Sequence, residues 1–141
     1  MASELTPTAA RLLRDFGEDL AAQALDRVTI QQYCGKVRRF LLFVGETDIE
    51  TVSQETLKAY MAHLRHEKMQ ATTLMKQYVA IGSLFVYLEG EGKVRANPVP
   101  TFRRRYLKAL KREAGKSEVN ARQLISVDQM RALVLSLVDV R

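Results

Sequence analysis

Apolar residues return at steps of three and four along almost the whole chain, and no stretch alternates as a half-buried strand would. Leu12, Phe16 and Leu20, with Leu13 and Ala24, share one face of a first predicted helix. It opens at Thr6-Pro7, a hydroxyl cap followed by proline in the first turn, and runs to about Asp26. Gly17 weakens its middle. Its charges are mostly acidic, Asp15, Glu18, Asp19 and Asp26 against Arg11 and Arg14, which predicts a covering or partner-contacting helix.

A second predicted helix begins with a capping box, Thr29 and Gln32, and buries Ile30, Tyr33, Val37, Phe40, Leu41 and Val44 before Gly45 ends it. Its opposite face carries Thr29, Gln32, Lys36 and Arg39, groups that can be simply solvated or can contact phosphates and base edges. Ser53 caps a third helix with Leu57, Tyr60, Met61 and Leu64 inward. The fourth starts at Thr72 or Thr73. Leu74, Tyr78, Ile81, Phe85 and Leu88 form its seam, and Thr73, Lys76, Gln77, Ala80 and Ser83 form a small, polar opposite surface. That surface suits a major groove; Ala80, Gly82 and Ser83 equally suit tight helix packing. Gly90, Gly92 and Asn97-Pro98 turn the chain. From Phe102 to Arg112 another amphipathic stretch sets Phe102, Tyr106, Leu107 and Leu110 against Arg103, Arg104, Lys108, Lys111 and Arg112. Gly115-Lys116-Ser117 breaks it, and residues to Asn120 read as a linker. Ser126 and Gln129 box a last helix with Met130, Leu133, Val134, Leu137 and Val138 on one side. The expected fold is all-α, a bundle of four to five helices.

Charge sharpens this picture. The chain carries +6 in 141 residues, but residues 93–122 alone hold ten basic residues against two acids. A positive stripe on an otherwise balanced chain is the electrostatic footprint of a nucleic-acid contact, because counterion release from phosphates drives such binding. A solvated helix face, or a site for an acidic protein or membrane surface, leaves the same mark. Other chemistry is sparse. Cys34 has no internal disulfide partner, and His63 and His66 without further ligands make a poor zinc site, so neither metal nor cofactor is expected. Gly90-Glu91-Gly92 follows a helix and lacks Lys-Ser/Thr, so it is not a phosphate loop. No apolar run reaches the ~20 residues of a membrane span, no signal peptide is legible, and a cytoplasmic, nucleoid-associated location with no membrane partner is expected.

The spaced pattern Thr29, Tyr33, Phe40-x-x-Phe43, Leu57-x-x-Tyr60-x-x-x-Leu64, Thr73-Leu74, Ser83-Leu84-Phe85-x-Tyr87-Leu88 and Gly92-x-Val94-x-x-Asn97-Pro98 resembles the N-terminal core-binding, SAM-like domain of tyrosine recombinases of the phage-integrase type. Leu124 to Gln129 is similar to the opening of that family's catalytic domain. The resemblance implies an extension at 1–27, a core-binding domain at 28–100, a basic helix and linker at 101–123, and the start of a truncated catalytic domain at 124–141. It further implies a clamp on one face of a recombination half-site in double-stranded DNA, with other recombinase protomers as partners. Thr29 would lie near the backbone, and Thr73, Lys76 and Gln77 would approach the groove. With the polar and basic faces read above, the candidate DNA contacts are Thr29, Gln32, Lys36, Arg39, Thr72, Thr73, Lys76, Gln77, Arg103, Arg104, Arg105, Lys108, Lys111 and Arg112. Where family members often place a basic residue this chain has Gly82, and the long basic stretch 103–112 can substitute for it.

Catalysis in the family needs a tyrosine nucleophile among arginines, a lysine and histidines of the other domain, and those motifs do not occur here. Tyr33, Tyr60, Tyr78, Tyr87 and Tyr106 read as core or docking residues, so the chain as given is not expected to be an enzyme. The last helix, without its cover, implies either self-association through its apolar stripe or a detached, mobile end. Two other functions fit the same residues: a helical interaction or oligomerisation module with a basic surface, and a stand-alone helical DNA-binding regulator.

Overall fold

A computed structural model describes residues 4–106 and 108–116. Four long helices, α1 (Pro7–Ala22), α2 (Arg27–Val44), α3 (Gln54–His66) and α4 (Ala71–Gly90), are followed by α5, helical at 99–106 and 108–116, and no strand occurs among the described residues. The all-α bundle expected from the periodicity is the fold observed. The predicted linker beyond residue 116, the catalytic-domain opener and the last helix at 126–141 lie outside the described residues, as does the side chain of Leu107.

Local chemistry decides where the helices begin. The Thr6 hydroxyl accepts from the Ala9 amide at 3.1 Å, and Pro7 occupies the first turn, as the sequence indicates. The next boundary differs from expectation. α1 stops at Ala22 instead of continuing to Asp26, because the backbone reverses at Ala24 with φ 63°. Asp26 then caps α2, accepting from the Thr29 amide at 2.7 Å, so α2 starts two residues before the predicted Thr29–Gln32 box. That hydrogen bond holds the Asp26 carboxyl below its ordinary range. Gly45 ends α2 at φ 61°, where a residue with a side chain would be strained. A single 3-10 turn, Ile49–Thr51, leads to Ser53, whose amide is met by the Thr56 hydroxyl at 3.2 Å at the start of α3. α4 begins at Ala71 with Gln70 as its cap, and α5 continues through Gly115, where the sequence predicts a break.

Burial unites all five helices. Phe16 and Leu20 of α1, Val37 and Phe40 of α2, Leu57, Tyr60 and Leu64 of α3, and Leu74, Ile81, Leu84 and Leu88 of α4 are all fully enclosed. Phe102 of α5 is 1% exposed and stacks on Tyr78, ring centres 4.7 Å apart. Residues 1–27 and 101–123 are expected as an extension and a linker, yet α1 and the first turns of α5 contribute to the same core as α2 to α4. Two glycines permit the close approaches. A Cβ on Gly17 would sit 3.3 Å from Cys34 Sγ of α2, and one on Gly82 would sit 3.3 Å from Val99 Cγ1 at the start of α5.

The core contains a polar seam with a measurable consequence. The Tyr78 hydroxyl donates to the Leu57 carbonyl at 2.6 Å, and the Tyr60 hydroxyl lies 3.4 Å from Gln77 Oε1. Burial pushes both phenols well above the ordinary tyrosine value; for Tyr60 the nearby Arg39 cation offsets part of this. Above pH ~10 the unfolded chain loses these protons while the folded chain keeps them, so stability falls as pH rises. Urea unfolding between pH 9 and 11.5 is expected to show this, with Tyr78→Phe removing about 1.4 kcal/mol per pH unit of the slope. An unchanged slope in Tyr78→Phe would mean that this phenol ionises without unfolding.

Candidate nucleic-acid interface

Three helices bring the basic and polar side chains together. α4 lies between α2 and α5, and the exposed side of α4 forms the floor of a depression of about 750 Å³. Val79, Gly82, Ser83 and Val86 of α4 line it, Tyr33 enters from α2, and Leu25 from the α1–α2 turn. Gln23 and the 97–100 segment complete its rim, and one wall is the basic face of α5: Arg103, Arg104, Lys108 and Lys111. No acidic side chain is among its lining residues. Four cations around an acid-free depression create a field that attracts polyanions.

The start of α5 is placed by specific bonds. Asn97 Oδ1 accepts from the Val99 amide at 3.0 Å, the Asn97 amide donates to the Glu89 carboxylate at 3.0 Å, and Gln54 Nε2 of α3 donates to the Pro98 carbonyl at 2.8 Å. Arg65 of α3 donates to Glu113 from both terminal guanidinium nitrogens, at 3.0 and 3.3 Å. That exposed pair contributes little by itself, about 0–1 kcal/mol. Burial of Val99, Phe102 and Leu110 therefore does most to hold α5.

The predicted contacts divide into three groups. Arg103, Arg104, Lys108 and Lys111 converge on the depression; Arg103 is half-buried, its Nε enclosed without a protein partner, while the other three are exposed. Thr73, Lys76 and Gln32 are exposed, and Thr29, Lys36 and Thr72 are half-buried. The remainder are engaged elsewhere. Arg39 pairs with Glu67, which also holds His63 at 2.7 Å, and His63 in turn packs on Phe43 instead of standing free on the surface. Arg105 lies 5.1 Å from the centre of the Tyr106 ring, and Arg112 Nε donates to the Lys108 carbonyl at 3.4 Å. Asp26 sets a negative charge beside Thr29, which disfavours a phosphate at that helix end.

Gln77 requires a correction. It is 5% exposed and faces the Tyr60 hydroxyl, so in this structure it cannot reach a groove edge. Ala80, which from the sequence suits either a groove surface or tight helix packing, has no exposure and is a packing residue. The outward stripe of α4 runs instead through Thr72, Lys76, Val79, Ser83 and Val86. At about 100° per residue this stripe lies opposite Leu74, Ile81 and Phe85, whereas Gln77 falls beside Leu88 at the edge of the seam, so the helical period itself separates the two.

Residues 12–92, more than half of the chain, match the phage integrase N-terminal SAM-like domain family. The chain belongs to that family. A tyrosine recombinase from Pseudothermotoga lettingae is 32% identical over 105 residues, 67% of this chain and 37% of the relative, so the chain spans little more than a third of that protein's length. No solved structure matches. The SAM-like match starts within α1 and closes at Gly92, so the α5 wall of the depression lies beyond it. The matched domain is not the catalytic domain of a recombinase. None of the described helices is long and apolar enough to cross a membrane.

Proposed function

We propose that this integrase-family domain binds double-stranded DNA through the open face of α4 and the basic wall of α5, clamping one side of a recombination half-site. The observation that carries the reading is the convergence of Arg103, Arg104, Lys108 and Lys111 around an acid-free depression floored by α4. Counterion release at such a cluster supplies sequence-independent affinity, and an exposed helix face with Thr73 and Lys76 can approach base edges. Strand cleavage belongs to a domain other than this one. Tyr60 and Tyr78, held protonated in the core, cannot serve as nucleophiles here. Further recombinase protomers on the same DNA are the natural protein partners, as the relationship to a tyrosine recombinase supports.

A fluorescence-anisotropy titration of the full chain with duplex DNA at several salt concentrations, with heparin as competitor, tests the proposal. Binding at micromolar concentration or tighter is expected in low salt, with a log–log salt slope of about 0.9 per phosphate contact. Absence of binding in low salt would overturn the DNA reading and favour an interaction module that meets an acidic protein.

A further inference from the structure

The outward stripe of α4 alternates in character. Thr72, Lys76, Val79, Ser83 and Val86 follow one another at steps of four, three, four and three. Val79 is 37% and Val86 62% exposed, and among the described residues Val28, at 61%, is the other large hydrophobic so placed. An isolated exposed valine is ordinary. Two on one stripe, seven residues apart, are less so, because valine is a weak helix former and an exposed one adds nothing to the core. Both line the depression walled by Arg103, Arg104, Lys108 and Lys111.

The cations select the partner, and the valines select what is read on it. A polyanion that also presents apolar groups to an approaching helix is duplex DNA, whose major groove exposes the C5-methyl of each thymine. Seven residues of helix span about 10.5 Å, close to three base-pair steps of ~3.4 Å. We propose that Val79 and Val86 are specificity-determining residues that contact thymine methyl groups about three steps apart in the major groove. The proposal rests on the DNA reading above and adds to it a chemical preference. Lys76 and Ser83, between and beside the valines on the stripe, supply polar contacts that do not depend on the methyl group.

Alternating poly(dA-dT) and poly(dA-dU) differ only in that methyl group, so they test the inference without knowledge of the natural site. Both are titrated against the full chain at matched salt. Tighter binding to poly(dA-dT) is expected, about four-fold per buried methyl and about fifteen-fold for the pair. The double variant Val79→Ala, Val86→Ala keeps the helix, since alanine is the better helix former, and is expected to bind both polymers alike. Equal binding by the unmodified chain, with a steep salt slope retained, would overturn the methyl contact and leave the DNA reading standing. A preference that persists in the double variant would likewise overturn the assignment to these valines. Failure to bind either polymer would remove the DNA reading and this inference together.

Discussion

Phe102→Ala is expected to lower the unfolding free energy by about 3–5 kcal/mol, the usual cost of emptying an enclosed aromatic site. Phe102 is 1% exposed, stacks on Tyr78 and lies 4.7 Å, centre to centre, from the Tyr106 ring. A domain of this size holds roughly 5–15 kcal/mol in total, so the loss would be a large part of its stability. Urea unfolding measures it directly, and hydrogen exchange locates it. Amides of α5 are expected to lose protection first, because the exposed Arg65–Glu113 pair cannot hold the helix alone. A loss below about 1 kcal/mol with α5 still protected would mean that other contacts of the helix, chiefly Val99 and Leu110, suffice.

The second large effect concerns binding. The triple variant Arg104→Gln, Lys108→Gln, Lys111→Gln is expected to flatten the log–log dependence of duplex affinity on salt by about 2.7 units, three phosphate contacts' worth. These three are chosen because they are exposed and line the depression, so folding should survive their neutralisation. Arg103 is less suitable, since its guanidinium is half-buried, and Arg105 lies against Tyr106. Lys58→Gln on α3, where the lysine sits beside Glu55, serves as the control and should leave the slope unchanged. A triple variant with the parental slope would move the phosphate contacts away from α5 altogether.

These two predictions concern one helix from opposite sides, and α5 illustrates how far the sequence can be read. Its two faces are plain in the residues: Phe102, Tyr106 and Leu110 inward, a run of arginines and lysines outward. Its role in the core is not. Local pattern cannot distinguish a helix docked loosely beyond a domain from one that closes the domain, because the distinction lies in which aromatic rings meet, and Tyr78 is 24 residues away from Phe102. Gly82 carries the same lesson. In the sequence it stands where a basic residue is common and equally suits tight helix packing; in the structure it is the gap that admits Val99.

By itself, the sequence determined the helical class, the caps at Thr6, Gly45 and Ser53, most of the buried seam and the concentration of positive charge after residue 92, because each depends on neighbours within a turn or two. Tertiary structure alone decided what the inward polar residue meets: at about 100° per residue Gln77 falls beside Ile81 and Leu88 and Lys76 falls opposite, but the contact of Gln77 with the Tyr60 hydroxyl of α3 is set by how the helices pack. It also decided which cations share a surface, withdrawing Arg39 to Glu67 and gathering four side chains of α5 over α4. The physical reason is that periodicity sets the direction of a side chain relative to its own helix axis, whereas exposure and partnership depend on where the neighbouring helices lie, and that is settled by packing across the whole bundle.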